Sequence, residues 1–317
     1  MTSPAPLLSL IIPARRRDDP ALARLLASLK RQSFQDFEAL VITQGNSEEA
    51  KAIGIGEARG TLLGFFCTDN DFRDPDFLRT MVWHALLPGV TGAYTAQYDY
   101  VTYDAPLSRY FALLGANDPV CWWLGKADRA SYLRGAHGPL GPTTRLVRYP
   151  RALPSVGDNG CLLKAALVKR HVTLDPARFG SCMDMCEDLR RAGHSTYAVV
   201  TEQKLWHRTG EGWTDYVRRR WRYVNDLYWD RLPTRRWVMV GTLQDWLLVV
   251  CFAVASLLVV PQLAVALVGY YRVRDVAWWL HPLVCLVLTG LYTLAWLTSW
   301  CRWLFPRTVV PSPSGGA

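Results

Sequence analysis

The sequence predicts an α/β domain built on a mostly parallel sheet, followed by C-terminal transmembrane helices. Two observations lead to this class. Apolar, strand-like segments alternate with segments of helical periodicity from the start of the chain, as in βαβ units. Near the other end, two runs of 26 residues, 246–271 and 276–301, contain no charged residue. The 317-residue chain has room for one sizeable domain besides this apolar segment.

The predicted sheet begins with three strands, at residues 7–13, 37–43 and 62–67, which alternate with predicted helices at 20–31 and 48–58. The carboxyl ends of parallel strands meet at one edge of a sheet, and ligands bind there. A polar segment follows each of the three strands. These segments therefore predict where the functional site lies.

The third predicted strand runs directly into Asp69, Asn70 and Asp71. Asp69 and Asp71 are two residues apart, so in extended backbone their side chains leave the chain on the same side. Two neighbouring carboxylates repel each other, and they suit a hard divalent cation such as Mg²⁺ or Mn²⁺. The other interpretation is a solvated turn, because Asp and Asn are common turn residues.

Four segments resemble, in order, motifs of the family 2 glycosyltransferases of the GT-A fold: LSLIIPARRR, RQSFQDFEALVI, IGEARGTLLGFFCTDND and SVGDNGCLLKAAL. The resemblance covers roughly residues 7–210. It implies a Rossmann-like catalytic domain and an inverting, metal-dependent transfer of a sugar from a nucleotide-diphosphate donor. It also implies that Asp69 and Asp71 hold the metal ion against the donor's diphosphate.

The resemblance assigns the loop after the first strand and the end of the second strand to the donor nucleotide. Gln44 stands where family members usually carry an Asp, and Arg15 begins a run of three arginines where a small residue is usual. Arg15 is a candidate for the donor diphosphate; the other interpretation is a solvated basic turn. The predicted donor-binding residues are Pro13, Arg15, Gln44, Asn46, Arg59, Asp69 and Asn70.

Two segments further along are predicted to bind the acceptor. Trp122 and Trp123 resemble part of a membrane-attached subgroup and form either a sugar or lipid platform or a packing plug. Gly157 and Asn159 lie in a glycine-containing loop that permits close approach of a ligand to the backbone. His207 is a third predicted metal ligand, and packing is its other interpretation.

A predicted helix carries Asp184, Glu187 and Asp188, three and four residues apart and hence on one helical face. Neighbouring carboxylates raise each other's pKa, which suits a general base. In the family a carboxylate near this helix start deprotonates the acceptor. Asp184 stands nine residues before Gly193, where the subgroup has its base, and Glu187 is the second candidate. The alternative is an ordinary solvated acidic face.

The two uncharged runs predict a transmembrane hairpin, because each is about 39 Å long as a helix and the hydrocarbon layer is about 30 Å thick. Residues 272–275 form a short connection, and Pro261 interrupts the first run, so a kinked or re-entrant helix stays open. A pair of buried core helices is the other interpretation.

Arginines are concentrated before the first run, which places both ends of the hairpin in the cytoplasm and the short connection outside. The start of the chain lacks the pattern of a signal peptide. The predicted location is the inner cell membrane, multi-pass, with a cytoplasmic catalytic domain.

Aromatic and apolar side chains recur at helical spacing just before the hairpin and predict a helix lying in the membrane interface or, alternatively, packed on the catalytic domain. They are Trp213, Val217, Trp221, Val224 and Tyr228. The net charge of +9 is concentrated beside the membrane and favours anionic lipid over nucleic acid as a partner. The eight cysteines form no CxxC pair and are expected to be reduced.

The predicted organisation is a catalytic domain at 1–212, an amphipathic segment at 213–242, a two-helix transmembrane hairpin at 243–303 and a disordered tail at 304–317. The predicted function is sugar transfer from a sugar-nucleotide donor to a lipid-linked acceptor at the cytoplasmic membrane face. A polyprenyl phosphate is the alternative acceptor, and being already anionic it needs no base. A more distant alternative is a non-catalytic, membrane-anchored module that binds a sugar nucleotide.

Overall fold

The computed structural model describes residues 4–134, 145–175, 179–209, 212–225 and 234–304, with side chains described up to residue 299. Its strands are β1 (Leu8–Pro13), β2 (Phe37–Ile42), β3 (Leu62–Phe65), β4 (Asn70–Asp71), β5 (Gly92–Asp99), β6 (Arg145–Arg148), β7 (Cys161–Lys164) and β8 (Thr196–His207). Its helices are α1 (Pro20–Lys30), α2 (Ser47–Glu57), α3 (Phe77–Ala85), α4 (Pro106–Leu114), α5 (Pro119–Trp123), α6 (Ala165–His171), α7 (Cys182–Arg191), α8 (Trp213–Arg222), α9 (Leu243–Leu258), α10 (Val260–Arg272) and α11 (His281–Leu304).

The eight strands form one sheet in the order β2-β1-β3-β7-β5-β8-β4, with β6 paired to β8. The pairs β1–β2, β1–β3 and β5–β8 are parallel, whereas β7 is antiparallel to both of its neighbours. Five strands (β1, β2, β3, β5 and β8) therefore run in one direction. This confirms the mostly parallel α/β sheet, and β4, β6 and β7 add the antiparallel strands that the sequence did not predict.

Alternating side chains of the central strands pack on opposite faces of the sheet. Leu8, Leu10 and Ile12 of β1 contact the helices α1 and α3 on one face. Ile11, on the same strand, packs with α2 and α7 on the other face. The sheet is thus covered on both sides, which is what the continuous apolar runs of its strands require.

The first five predicted elements are confirmed, each with ends within two residues of those predicted. Local signals account for this accuracy at the helix starts. Asp19 caps α1, where its side chain accepts a hydrogen bond from the Ala21 amide. Asn46 forms a capping box with Glu49 at the start of α2.

The first apolar run is not one straight helix, which agrees with the kinked or re-entrant alternative, and the transmembrane hairpin stays a prediction. It forms α9 and α10, which are bent by 88° at their junction. Val259 at the junction has a φ of 61°, a conformation that β-branched residues rarely adopt. In the described residues, one helix (276–299) is long and apolar enough to cross a membrane, or two if the bent pair counts as one span.

The connection between α10 and α11 lies against the α/β domain. Arg109 of α4 forms an ion pair with Asp275 at 3.2 Å, and both side chains are largely buried. Trp278 of the 3₁₀ turn Val276–Leu280 is fully buried and contacts Tyr110 edge-to-face. These contacts do not support the prediction that residues 272–275 lie on the outer side of the membrane.

Helix α8 packs on the α/β domain, which was the alternative interpretation of its aromatic stripe. Its buried side chain is Tyr216, which lies outside the predicted stripe and stacks near Phe111 of α4. Arg220, on the same helix, forms a 3.4 Å ion pair with Asp118. Tyr228 of the stripe and residues 305–317 of the predicted tail lie outside the described residues.

Candidate functional site

Strands β4 and β8 bring Asp69 and His207 together. Antiparallel pairing sets Asn70 opposite His207, and the preceding Asp69 places its Oδ1 atom 3.4 Å from His207 Nε2. Asp69 Oδ1 is buried and accepts no hydrogen bond within the described part of the chain. A buried carboxylate oxygen without a donor is costly, so this pair of atoms needs a positive charge between or upon them.

The other nitrogen of His207 is fixed by Thr209. The Thr209 hydroxyl donates to Asn117 Oδ1 at 3.0 Å, so it accepts from His207 Nδ1, also at 3.0 Å. This arrangement leaves the Nε2 lone pair aimed at Asp69 unless Nε2 is protonated. A proton on His207 Nε2, or a cation bound between Nε2 and Asp69 Oδ1, removes the repulsion between these two atoms. A carboxylate oxygen and a histidine nitrogen are suitable ligands for Mn²⁺.

Arg219 of α8 provides a further positive charge to this pair. Its guanidinium contacts Asp69 Oδ2 at 3.0 Å and donates a 2.7 Å hydrogen bond to the Thr209 carbonyl. Burial raises the pKa of Asp69, but the charges of His207 and Arg219 outweigh burial and hold this pKa at about 2. Asp69 is therefore ionised at neutral pH.

Asp71, the second predicted metal ligand, has a different environment from Asp69. Its Oδ1 accepts a 2.8 Å hydrogen bond from the Phe72 amide, and its Oδ2 lies 3.6 Å from Arg208. The described residues include no group of three or more His, Cys, Asp or Glu side chains arranged to hold a metal. Asp69 and His207 would be the protein ligands of an ion bound here, and its other positions would be left to water or a ligand.

Asn70 is buried below Asp69 and supports its loop, so it does not face a bound sugar nucleotide. Only 2% of it is exposed; its Oδ1 accepts from the Cys67 amide, and its Nδ2 donates to Asn159 Oδ1 at 3.3 Å. The Asn159 carbonyl in turn accepts a 2.7 Å hydrogen bond from buried Arg129. The predicted donor residue Asn70 and acceptor residue Asn159 are thus joined to each other as supports of the two loops.

Gly157 lies in the loop that precedes β7, and the backbone of this loop is strained. Its φ of 133° is accessible to glycine only, and a Cβ atom there would lie 2.7 Å from the Cys182 carbonyl oxygen. Asn159, two residues on, has a φ of 52°. The loop is thereby pressed against the start of α7, as the prediction of close backbone approach requires, although the neighbour seen here is protein.

Buried Lys51 of α2 connects this loop to the first turn of α2. Lys51 Nζ lies 2.6 Å from Asp158 and 2.8 Å from Glu48, and its side chain is 4% exposed. Burial lowers the pKa of Lys51, but the two carboxylates outweigh burial and raise this pKa well above its usual value. The resulting cluster of fixed charges lies beside Cys67 and Cys182, between Asp69 and α7.

The remaining predicted donor residues separate into two groups. Pro13, Arg15 and Gln44 lie at the carboxyl edge of β1 and β2, with Arg15 and Gln44 exposed. Asn46 also lies there, but its side chain is occupied by the α2 cap. Arg59 is placed at the opposite edge, where it forms an ion pair of 2.8 Å with Glu38 near the start of β2. Arg59 is therefore not brought to the site.

Trp122 and Trp123 pack against the C-terminal helices, which was the alternative to an acceptor platform. Trp122 is 6% exposed and contacts His281 of α11 edge-to-face. Trp123 makes the same kind of contact with Phe252 of α9. These ring contacts connect α5 to the C-terminal helices α9 and α11.

Asp184, the predicted base, is fully buried and its oxygens are occupied by the segment that follows α8. Oδ1 accepts hydrogen bonds of 2.8 Å from the amides of Arg236 and Trp237. Oδ2 accepts from the Ser181 hydroxyl and forms a 2.8 Å ion pair with Arg235, whose side chain is 2% exposed. In this conformation, Asp184 anchors residues 235–237.

Glu187 and Asp188 both form ion pairs with arginines, and the predicted effect of one carboxylate on another is present only at Asp188, whose pKa is raised by burial and also by the charge of Asp184. Glu187 contacts Arg190 at 2.7 Å and Arg191 at 3.0 Å. Burial raises the pKa of Glu187, but these hydrogen bonds bring it below its usual value. A lowered pKa weakens a carboxylate as a base, contrary to the expectation of a raised one.

The sequence interpretation missed Arg219, Lys51 and Asp158. The helical spacing of α8 identifies an apolar stripe and gives no role to Arg219. Lys51 and Asp158 are separated by 107 residues, and no local pattern relates them. A signal was present only for Arg219, which follows the predicted metal ligand His207 by twelve residues.

Comparison with known proteins shows the fold. No protein-family model matches the chain. No curated protein matches its sequence significantly. Among solved structures, the chain is similar to the mannosyltransferase PcManGT from Pyrobaculum calidifontis in complex with GDP-Man and Mn²⁺, with a TM-score of 0.50 and 12% identity. That alignment covers 96% of this chain and 88% of the other. A likeness to S. aureus TarS 1–349 has a TM-score of 0.40 and 10% identity over 94% of this chain and 91% of the other. The chain thus has a glycosyltransferase fold.

Proposed function

We propose that this protein is an inverting, metal-dependent glycosyltransferase of the family 2 type, which moves a hexose from a sugar nucleotide to a lipid-linked acceptor. One observation carries the proposal. The buried oxygen Asp69 Oδ1 faces His207 Nε2 at 3.4 Å, at the sheet edge where ligands of such folds bind, and a proton or a cation must lie between these two atoms.

The charges around this pair suit a nucleoside diphosphate. Asp69 and His207 would hold Mg²⁺ or Mn²⁺, and the bound ion would supply charge neutralisation for the leaving diphosphate. Arg219 is positioned beside Asp69 and Arg208 beside Asp71, so both can exchange a carboxylate for a phosphate oxygen. Because the structure of PcManGT contains GDP-Man, a guanosine donor belongs in the first set of compounds to test.

The buried state of Asp184 bears on the choice of acceptor. A sugar hydroxyl needs a base, and Asp184 can serve as one only after residues 235–237 release its oxygens. A polyprenyl phosphate is already anionic and needs no base. The contacts of Asp184 therefore favour the polyprenyl-phosphate alternative, in which Asp184 has a structural role. Glu187 does not favour a hydroxyl acceptor either, because its lowered pKa makes it a weak base.

We assign the protein to the cell membrane, with its catalytic domain on the cytoplasmic side. The apolar side chains exposed on α9, α10 and α11 support the attachment, because a protein in water rarely exposes so many together. Arginines beside these helices support the orientation and contact with anionic lipid.

Donor binding tests the proposal directly. The full-length protein in detergent is titrated with UDP and GDP, with Mn²⁺ or with EDTA, and release of nucleoside diphosphate from a panel of sugar nucleotides is then followed. We expect Mn²⁺ to strengthen binding, and Asp69→Asn to remove this effect and to lower the rate by about 10²-fold or more. Asp215→Asn, an exposed carboxylate on α8, is the matched control and should behave as wild type.

Equal nucleotide binding in Mn²⁺ and EDTA would contradict the metal assignment. Binding without turnover of any sugar nucleotide, in the presence of polyprenyl phosphate and glycolipid acceptors, would favour the non-catalytic binding module instead.

A further inference from the structure

The helices α9 and α10 start and end on the same domain. At the start of α9, Asp245 forms a 2.8 Å ion pair with Lys126, which also donates to the Met239 carbonyl. After the end of α10, Asp275 forms its ion pair with Arg109. Lys126 and Arg109 both belong to the catalytic domain. A helix pair anchored at both ends to one domain cannot have those ends on opposite sides of a bilayer.

The junction of the two helices is exposed and wholly apolar. Leu257, Leu258 and Val260 are 66%, 64% and 70% exposed, and no charged residue lies between Asp245 and Arg272. In contrast, the two ends of the pair carry exposed aromatic rings and basic side chains. These are Trp246 at the start of α9, and Tyr271, Arg272 and Arg274 at the end of α10.

The polar groups inside the bend satisfy one another. Gln262 Nε2 donates to Ser256 Oγ at 3.2 Å, Gln262 Oε1 lies 3.0 Å from His281 Nε2, and Ser256 donates to the Phe252 carbonyl. Tyr110 of the catalytic domain continues this chain to the second nitrogen of His281 at 2.7 Å. Polar groups within a hydrocarbon layer must be satisfied in this way, because no water is available there.

The dimensions correspond to one leaflet. Helices of 16 and 13 residues are about 24 and 20 Å long. Bent at 88°, they reach a depth of about 15 Å, which is half of a hydrocarbon layer about 30 Å thick.

We propose that α9 and α10 form a re-entrant wedge, which inserts the apolar tip 257–260 into the adjacent leaflet and returns to the same side. The partner is the acyl-chain layer of the membrane, with its headgroups level with the aromatic and basic ends. The wedge rests on the membrane attachment proposed above but not on sugar transfer, so the two can fail separately.

Sided labelling of single cysteines in the full-length protein tests the wedge. Arg274→Cys lies in the connection after α10, and Arg31→Cys marks the catalytic domain; both positions are exposed. Each is treated with a membrane-impermeant maleimide in spheroplasts and in inverted vesicles, and labelled peptides are identified by mass spectrometry. We expect both positions to react from the same side. Reaction from opposite sides would overturn the wedge and restore the spanning hairpin.

A cross-link gives a second measurement, which is decisive even if position 274 is shielded from the maleimide. In membranes, the pair Arg109→Cys and Asp275→Cys should be joined by a short bifunctional maleimide. The matched pair, Arg109→Cys and Leu258→Cys, should not be joined, because Leu258 lies at the tip. Failure of the first pair to cross-link, or equal cross-linking of both pairs, would refute the wedge. Neither measurement depends on enzymatic activity.

Discussion

Replacing Asp184 by Asn should destabilise the protein strongly, besides any effect on catalysis. The substitution leaves the Arg235 guanidinium, 2% exposed, without the carboxylate that lies 2.8 Å away. Removing one partner of a buried ion pair costs about 3–5 kcal/mol. For a domain of this size, such a loss lowers the melting temperature by about 6–20 °C. The amide oxygen of Asn can still accept from the Arg236 and Trp237 amides, so the loss belongs mainly to the charge.

A double variant separates the charge effect from other causes. Asp184→Asn combined with Arg235→Met removes both charges and should recover at least half of the lost stability, because replacing a whole buried pair is often neutral. Thermal unfolding of the three variants in detergent measures the coupling. An Asp184→Asn variant that melts at the wild-type temperature, or a double variant with purely additive losses, would refute the reasoning from the buried ion pair.

The same variants distinguish the two acceptors. With a hydroxyl acceptor, loss of the base should lower the rate by about 10²- to 10⁴-fold, and the double variant should stay inactive after its stability recovers. With a polyprenyl phosphate, the double variant should regain activity together with stability. Rates measured well below the melting temperature of each variant, with donor affinity as a control, separate these outcomes.

Three further changes have expected results. Arg219→Ala should strengthen Mn²⁺ binding without nucleotide, because a competing cation is removed, and weaken nucleoside diphosphate binding; Arg218→Ala, an exposed neighbour, should change neither in calorimetric titrations. Glu187→Gln should cost about 1 kcal/mol at pH 7. Since the folded pKa of Glu187 is lowered, its contribution is present above the usual pKa and lost as pH falls through the folded value, so the difference should vanish in acid unfolding curves. Gly157→Ala should lower the melting temperature by several degrees, because its φ of 133° and the 2.7 Å contact of the added Cβ both oppose folding; an unchanged temperature would contradict the geometry of this loop.

Much of the α/β fold could be predicted because its signals are local. The alternation of β1, α1, β2, α2 and β3 is present in the spacing of apolar residues within windows of about 11–18 residues. The position of Asp69 at the end of β3 follows from the same pattern, because the edge of a parallel sheet is where polar residues after strands gather. His207 was predicted as a metal ligand only through the resemblance, and the structure places it beside Asp69.

The roles of the charged side chains could not be predicted in the same way. In the sequence, Asp69 and Asp184 both lie in patterns typical of functional acidic residues. In the structure, Asp69 Oδ1 accepts no hydrogen bond from the described residues, whereas both carboxylate oxygens of Asp184 accept hydrogen bonds. What separates them is the partner that each meets. Arg219 is 150 residues from Asp69, and Trp237 is 53 residues from Asp184. Such pairs form only when helices and loops pack together.

The sequence by itself determined the α/β class, the sheet edge that carries the site and the apolar character of the C-terminal helices, because periodicity and composition are properties of short segments. Only the tertiary structure decided which carboxylate is open to a cation, and that the apolar helices turn back onto the domain they leave. The reason is that Arg109 and Lys126 meet Asp275 and Asp245 across more than one hundred residues. No segment of the chain contains both partners of either contact.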